Sequence, residues 1–327
     1  MKPGLFIISL DFELLWGVRD KRTIANYGDN IRGVRQIIPA LLRLFDAYDI
    51  HATFATVGFL FARDKDELLS HIPFTLPQYG QKKYSPYENQ YLDSIGSSEK
   101  TDPYHYAPSL IKMIIANGNQ EIASHTFSHY YCLENASLLS FEEDMKSAKN
   151  IAASYGVDLK SIVFPRNQYS EEHINVCKDL GFIAFRGNEQ SSVYQPRKNE
   201  EQSKKIKAVR FADAYTNLTG HHSFKIDKGS TMLNIPASRF LRPYSNKLAL
   251  LDPLRLKRIC NSMSHAAEKR EAYHLWWHPH NMGIHQKENL EFLEAILKHY
   301  QLLKQRYGMQ SRTMKAIAEE ILMSHGV

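Results

Sequence analysis

Cysteine is scarce in this chain. Three among 327 residues, Cys132, Cys177 and Cys260, are odd in number and far apart. That excludes a disulfide framework and a Cys-x-x-Cys metal site. Long apolar runs are missing as well. The N-terminal stretch Leu5-Phe6-Ile7-Ile8 soon meets an acid, Asp11, and is too short for the apolar core of a secretion signal. No later run nears the roughly 18 residues of a membrane span, so a cytoplasmic setting and no transmembrane segment are expected. Charge of one sign does not pile up: 41 Lys and Arg against 35 Asp and Glu leave a net +6. The densest basic run, Lys204-Lys205-Ile206-Lys207, follows Glu200 and Glu201 and reads as a solvated loop, which argues against nucleic acid as a partner. Repeats and low-complexity tracts are absent. With 43% hydrophobic and 23% charged residues, the composition is that of a globular protein with a sizeable core.

What is there is an alternation of short apolar runs and helical spacings. Residues 5–10 form a nearly continuous apolar run, the mark of a strand covered on both faces. Over residues 31–48, Ile31, Val34, Ile38, Leu41, Leu42 and Phe45 recur at helical intervals. Further strands are expected at 53–57, 121–124, 161–164, 182–186, 207–211 and 272–278, and further helices at 108–117, 140–155, 170–180, 253–270 and 286–307. Asn117-Gly118, Gly156 and Gly181 supply helix stops. Strand–helix alternation predicts a parallel sheet, and the number of units favours an α/β barrel in one domain over residues 1–327. Two segments break the rhythm as insertions, near 62–107 and 187–206. The first carries tyrosines at 79, 84, 87, 91, 104 and 106, which suit either stacking on sugar rings or packing of the loop on itself.

Four groups carry candidate chemistry, each just past an expected strand. In Asp11-Phe12-Glu13 the two acids share one side of an extended chain and Phe12 faces the other. In Ser124-His125-Thr126-Phe127-Ser128-His129 the histidines are four apart, so one helical turn would place both imidazoles on one face, ready for a divalent metal. Phe164-Pro165-Arg166-Asn167 offers a guanidinium that could hold Asp11 ionised. In His274-Leu275-Trp276-Trp277-His278-Pro279-His280, alternation puts His274, Trp276 and His278 on one face. Pro279 ends the strand, so His278 falls where a general acid should sit and a tryptophan can wall a pocket. His280, His285 and the pair His221-His222 are expected outside the centre.

These four groups, in this order, resemble the polysaccharide deacetylase (NodB-homology) family, the fourth carbohydrate esterase family. The resemblance runs from Leu5 to about Gly283, with Ala52-Thr53-Phe54-Ala55 similar to the family's second strand. It implies a distorted (β/α)7 barrel and metal-dependent removal of an N-acetyl group from an amino sugar. It also implies Asp11 as catalytic base, His125 and His129 as metal ligands, Arg166 as partner of the base and His278 as general acid. The family's adjacent aspartates read Asp11-Phe12 here, and Glu13 takes the place of the metal-binding acid; Asp213 is the nearest match to the family's Asp-containing fourth motif. The implied cofactor is Zn²⁺, with Co²⁺ or Ni²⁺ as alternates. The implied partner is an acetylated amino sugar, and a cytoplasmic setting with a basic surface points to a nucleotide- or lipid-linked precursor. Opening of a cyclic amide or ureide, as in allantoinase-like relatives, and sugar binding without catalysis are the rival readings.

Overall fold

The computed structural model describes residues 2–194, 204–227 and 232–323. β1 (Leu5–Phe12) is buried over nearly its whole length, as its apolar run predicts. α1 (Ile24–Tyr48) opens where the Thr23 N–H donates to Asn26 Oδ1 at 3.1 Å and closes at Asp49, in left-handed conformation (φ 53°). β2 (Ala52–Thr56) leads into the first insertion, which contains α2 (Lys65–Ser70) and α3 (Tyr91–Ser94). The alternation then resumes: α4 (Pro108–Asn117), β3 (Glu121–Ser124), α5 (Leu138–Ala153), β4 (Ser161–Ile162), α6 (Glu171–Asp179) and β5 (Ala184–Phe185). α7 (Lys204–Asp213), β6 (Leu233–Asn234), β7 (Arg239–Phe240), α8 (Asp252–Lys269), β8 (Ala272–Trp277), α9 (Gln286–Tyr307), β9 (Gln310–Ser311) and α10 (Met314–Met323) complete the order.

Two expectations are corrected. The strand expected at 207–211 lies within α7, and Lys204-Lys205-Ile206-Lys207 opens that helix instead of forming a loop. A short run of mixed apolar residues cannot be assigned by periodicity, and this one sits among Lys, Ala and Arg, which favour helix. Lys205 and Lys207 are exposed, so the run is solvated from a helix face. The second insertion, near 187–206, is described only to Tyr194 and again from Lys204; its remainder lies outside the described residues.

The sheet runs β6-β5-β4-β3-β2-β1-β8-β7, with β9 pairing beside the start of β1 and every pairing parallel. It curls into an open α/β barrel whose edges are β6 and β7. The chain between these edges crosses the seam: Ala237 N–H donates to Gly187 O at 2.9 Å and Ser238 N–H to His274 O at 2.8 Å. Alternation along β1 splits the interior in two. Phe6, Ile8, Leu10 and Phe12 join the large core under the helices. Ile7 faces the lumen with Ala55, Ala123, Val163 and Leu233, where Met314, Ile317 and Ile321 of α10 plug one end. Phe12 is therefore a helix-layer residue, and its neighbours Asp11 and Glu13 take the lumen side. Because all strands are parallel, the residues following β1, β3, β4, β5 and β8 meet at the same rim.

Candidate active site

At the end of β1, Asp11 is buried and meets a guanidinium in a two-pronged pair. Arg186 Nη1 donates to Oδ1 at 2.6 Å and Nη2 to Oδ2 at 2.8 Å. Burial alone would raise the Asp11 pKa, but Arg186, with His125 and His278 adding, brings it below the ordinary aspartate value. Arg186 is itself fully buried and held from three further sides. Nη1 donates to Ser9 Oγ (2.9 Å), Nη2 donates to Asn167 Oδ1 (2.8 Å), and the guanidinium lies over the Trp276 ring, 4.2 Å from its centroid. Ser9 Oγ in turn sits 2.9 Å from His274 Nε2, so a chain of hydrogen bonds leads from β8 through β1 to the Asp11 clamp.

This arrangement corrects the pairing expected of Arg166. Arg166 and Asn167 are both left-handed (φ 57° and 53°) in the turn after β4. The turn sends the Asn167 side chain to Arg186 and swings Arg166 outward, where Nη2 donates to Asp20 Oδ2 at 2.6 Å. Its guanidinium covers Tyr131 at 3.9 Å and Tyr84 at 4.9 Å. Tyr131 packs edge-on against His129 at 5.2 Å, so Arg166 stands one aromatic layer from the centre. The residue missed was Arg186. Its only trace in the sequence is a charge closing the apolar run Phe182–Phe185.

Glu13 folds its carboxylate over Gly17, where a Cβ would fall 1.9 Å from the carboxyl carbon, so only glycine leaves room. Oε2 lies 3.2 Å from His125 Nε2 and 3.0 Å from His129 Nε2, and the three ligand atoms are all within 4.8 Å of one another. Burial pushes the Glu13 pKa up, but His278, His125 and His129 outweigh it and hold the carboxyl well below its usual range. His125 Nδ1–H donates to Val163 O at 2.7 Å, which leaves Nε2 as the acceptor facing Glu13. His129 is pushed down to about 4, chiefly by burial, so it is a neutral imidazole at ordinary pH. Two imidazole nitrogens and a carboxylate converging on one buried spot make a donor set that fits a divalent ion of the zinc kind. The His125–His129 spacing works without the helical turn expected of it. The segment is a loop with Thr126 and His129 at φ 62° and 59°, anchored where Asp144 of α5 accepts the N–H groups of Phe127 (2.7 Å) and Ser128 (3.2 Å).

His278 follows β8 and faces both acids, with Nε2 3.7 Å from Asp11 Oδ2 and 3.6 Å from Glu13 Oε1. Asn281 Nδ2 lies 3.3 Å from His278 Nδ1, while Nε2 is the ring nitrogen facing the carboxylates. His278 keeps 23% of its side-chain exposure, so it borders the opening, and Trp276 and Phe240 pack beside it. His280, expected outside, is instead buried under it. The rings stack at 5.1 Å, and His280 Nδ1 lies 3.9 Å from Glu13 Oε1. A proline-led turn of Pro279–Met282 folds back under the strand end, which strand alternation cannot anticipate. His221 stacks on His265 and His285 meets Tyr244 edge-on, both away from this group. Asp213 serves elsewhere too, pairing with Arg239 and Arg258. The insertion tyrosines pack on protein: Tyr79 and Tyr84 against Tyr131, Tyr87 against Phe59, Tyr91 against Trp16.

The parallel α/β barrel carries a carboxylate–His–His cluster at its rim, and sequence comparison gives its family. The polysaccharide deacetylase family profile matches residues 19–185, and the chain belongs to that family. The matched span holds His125, His129 and Arg166. Asp11 and Glu13 lie before it; Arg186 and His278 lie after it. No curated protein sequence matches significantly. Among solved structures, the chain resembles a protein of Mycobacterium smegmatis assigned as a polysaccharide deacetylase (13% identity, TM-score 0.60, 99% of this chain and 92% of the other). It also resembles one of Pseudomonas aeruginosa PAO1 assigned likewise (11% identity, TM-score 0.56, covering 96% and 89%), and the allantoinase PuuE (12% identity, TM-score 0.55, covering 99% and 91%). At such identities these likenesses describe the fold.

Proposed function

We propose that this protein hydrolyses the N-acetyl amide of an amino sugar with the help of a divalent metal, acting on a nucleotide- or lipid-linked precursor of a surface polysaccharide. The observation that carries the reading is the meeting of Glu13, His125 and His129 beside an Asp11 that is clamped separately by Arg186. That arrangement supports one acid holding an ion and the other moving a proton. Glu13, His125 and His129 would hold the ion, which would supply Lewis acidity there, bringing the pKa of adjacent water toward neutral. Asp11, kept ionised and fixed by two hydrogen bonds, takes the proton of the attacking water. The hydroxyl adds to the acetyl carbon, and the C–N bond breaks as His278 Nε2, 3.7 Å from Asp11, passes to the departing amine the proton that Asp11 took up, giving acetate and a free amino sugar. Asn167 orients Arg186, and Arg186 orients Asp11. The net charge of +6 suits a diphosphate-linked substrate.

The test is metal content together with acetate release from UDP-linked N-acetylhexosamines, with and without chelator. Near one metal per chain and chelator-sensitive acetate release are expected. His125→Ala should lose metal and turnover together. His278→Ala should keep the metal and lose turnover by about 10²–10⁴-fold, the range of a positioned acid. Equal metal loss in both variants would overturn the roles, and a metal-loaded protein that opens allantoin-type rings but releases no acetate would overturn the substrate.

A further inference from the structure

Behind the His278 wall lies a small cavity of about 40 Å³ bounded by Glu189, Tyr194, Arg210, Arg239, Arg242 and Arg255. Four guanidiniums around so little space repel one another unless anions balance them. Among the described residues the carboxylates that pair with them are few. Asp213 takes Arg239 at 3.0 Å and also Arg258, at 3.4 Å; Asp252 takes Arg255 at 3.0 Å. Asp213 is further occupied by the Tyr194 hydroxyl (2.9 Å) and the N–H groups of Leu218 (3.0 Å) and Thr219 (2.9 Å). Glu189 is the remaining acid, and its burial raises its pKa, so it yields a charge reluctantly.

Backbone carbonyls accept much of the rest, Asp213 O from Arg239 Nη1 (3.2 Å), Pro243 O from Arg255 Nη1 (3.1 Å) and Val193 O from Arg210 Nε (2.8 Å), but a neutral carbonyl does not balance a charge. Arg239 and Arg255 are only 7% and 5% exposed, and the Nε atom of each is buried without a hydrogen-bond partner. A buried N–H left unpaired is costly, and an oxyanion is the acceptor that planar guanidinium forks match best. A water takes roughly 10–15 Å³ by this measure, so the cavity holds about three water-sized groups, the scale of one tetrahedral anion. Arg210 and Arg242 are half-buried at its edge, which gives such an anion a way in. Phe240, part of the cavity wall, packs on Trp276 (4.8 Å) and on His278 (5.9 Å). Glu189, also in the wall, lies 3.4 Å from Trp276 Nε1. One aromatic layer thus separates the cavity from the candidate catalytic centre.

We infer that this cavity is a phosphoryl-binding site, with Arg239 and Arg255 as its floor and Arg210 and Arg242 as its gate. The ligand is either free inorganic phosphate or a phosphate carried by the substrate; both present the same oxygens. The experiment is calorimetric titration of the full chain with inorganic phosphate, in a buffer free of phosphate and sulfate. Arg210→Gln and Arg242→Gln, at the half-buried edge, are compared after thermal unfolding verifies that they fold. Saturable binding by the parent protein, weakened at least about tenfold in Arg242→Gln, is expected; tenfold corresponds to one charge-assisted hydrogen bond lost. Absence of saturable binding, or equal binding by the parent and both variants, would overturn the inference. The source of the phosphate is then read by competition. Displacement by UDP-N-acetylglucosamine but not by N-acetylglucosamine places a substrate phosphate here, whereas phosphate retained against both identifies the free ion. Binding is measured without turnover, so failure of the deacetylase reading would leave this result standing, and the reverse holds equally.

Discussion

A guanidinium that grips a carboxylate with two parallel hydrogen bonds cannot be exchanged for a lysine without loss, because an ammonium offers a point charge and no fork. Arg186→Lys should therefore loosen Asp11 and weaken the effect that lowers its pKa. The proton would stay on Asp11 to higher pH, so the acid limb of the pH–rate profile moves upward in Arg186→Lys and stays in place in Arg166→Lys. A shift in the second variant and none in the first would return the partner role to Arg166. Gly17 is a second discriminating position. A methyl group there would overlap the Glu13 carboxyl, so Gly17→Ala should lower metal affinity by tenfold or more while circular dichroism shows the fold retained; unchanged metal content would mean that Glu13 is no ligand. Both residues show where the sequence was readable. The i, i+2 rule placed Asp11 and Glu13 together on the lumen face because β1 really is extended. Arg166 and Arg186 both follow strands, and nothing local says which guanidinium reaches across the barrel. Two left-handed residues in a row decided it, and neither is a glycine that would have announced the turn.

Elements fixed at both ends by their own chemistry were legible to within a few residues. α4 and β3 fall at the expected bounds and α9 likewise, whereas α1 ends at Tyr48 as expected but begins two turns earlier than the expected 31, at Ile24. The strands β6, β7 and β9 were not foreseen. Each spans two residues, too few to express a period, and each exists because a neighbouring strand offers its edge. The loop bearing the candidate ligands is likewise a tertiary product. It keeps its shape because Asp144, inside α5, accepts two of its N–H groups and the Ser128 hydroxyl. Asp144→Ala would leave these donors buried without an acceptor, at about 1–3 kcal/mol each. The expected result is a lower thermal midpoint, together with weaker metal binding by the folded fraction. Asp144→Asn retains one acceptor oxygen and should recover part of both. A variant destabilised but with parent-like metal affinity would limit Asp144 to holding the fold.

For the whole molecule, acid stability follows from which groups the barrel has buried. His129 is held down to about 4, and His274 and His280 to about 3, with burial as the leading cause in each. Unfolded, all three would take up a proton near pH 6.5. Between about pH 4 and 6.5 the unfolded chain therefore binds more protons than the native one, and stability rises with pH across that window, at up to ~1.4 kcal/mol per pH unit for each such proton. Asp144 acts in the opposite sense. Burial lifts it from 3.8 to about 7, so the native state binds its proton where the unfolded chain has released it, and that contribution fades as pH climbs through 7. Three histidines outweigh one aspartate on the acid side, and above pH 6.5 only the aspartate is left titrating. The urea midpoint, measured with chelator so that metal uptake does not enter, should climb from pH 4 to about 6.5 and then level or fall. His274 is the histidine with which to test this, since it meets Ser9 Oγ and the carbonyls of Ile235 and Pro236 and belongs to no ligand group. His274→Gln removes one titration from the acid limb while keeping a donor and an acceptor. A shallower climb is the expected result; an acid limb as steep as the parent's would show that His274 is not held neutral in the native barrel.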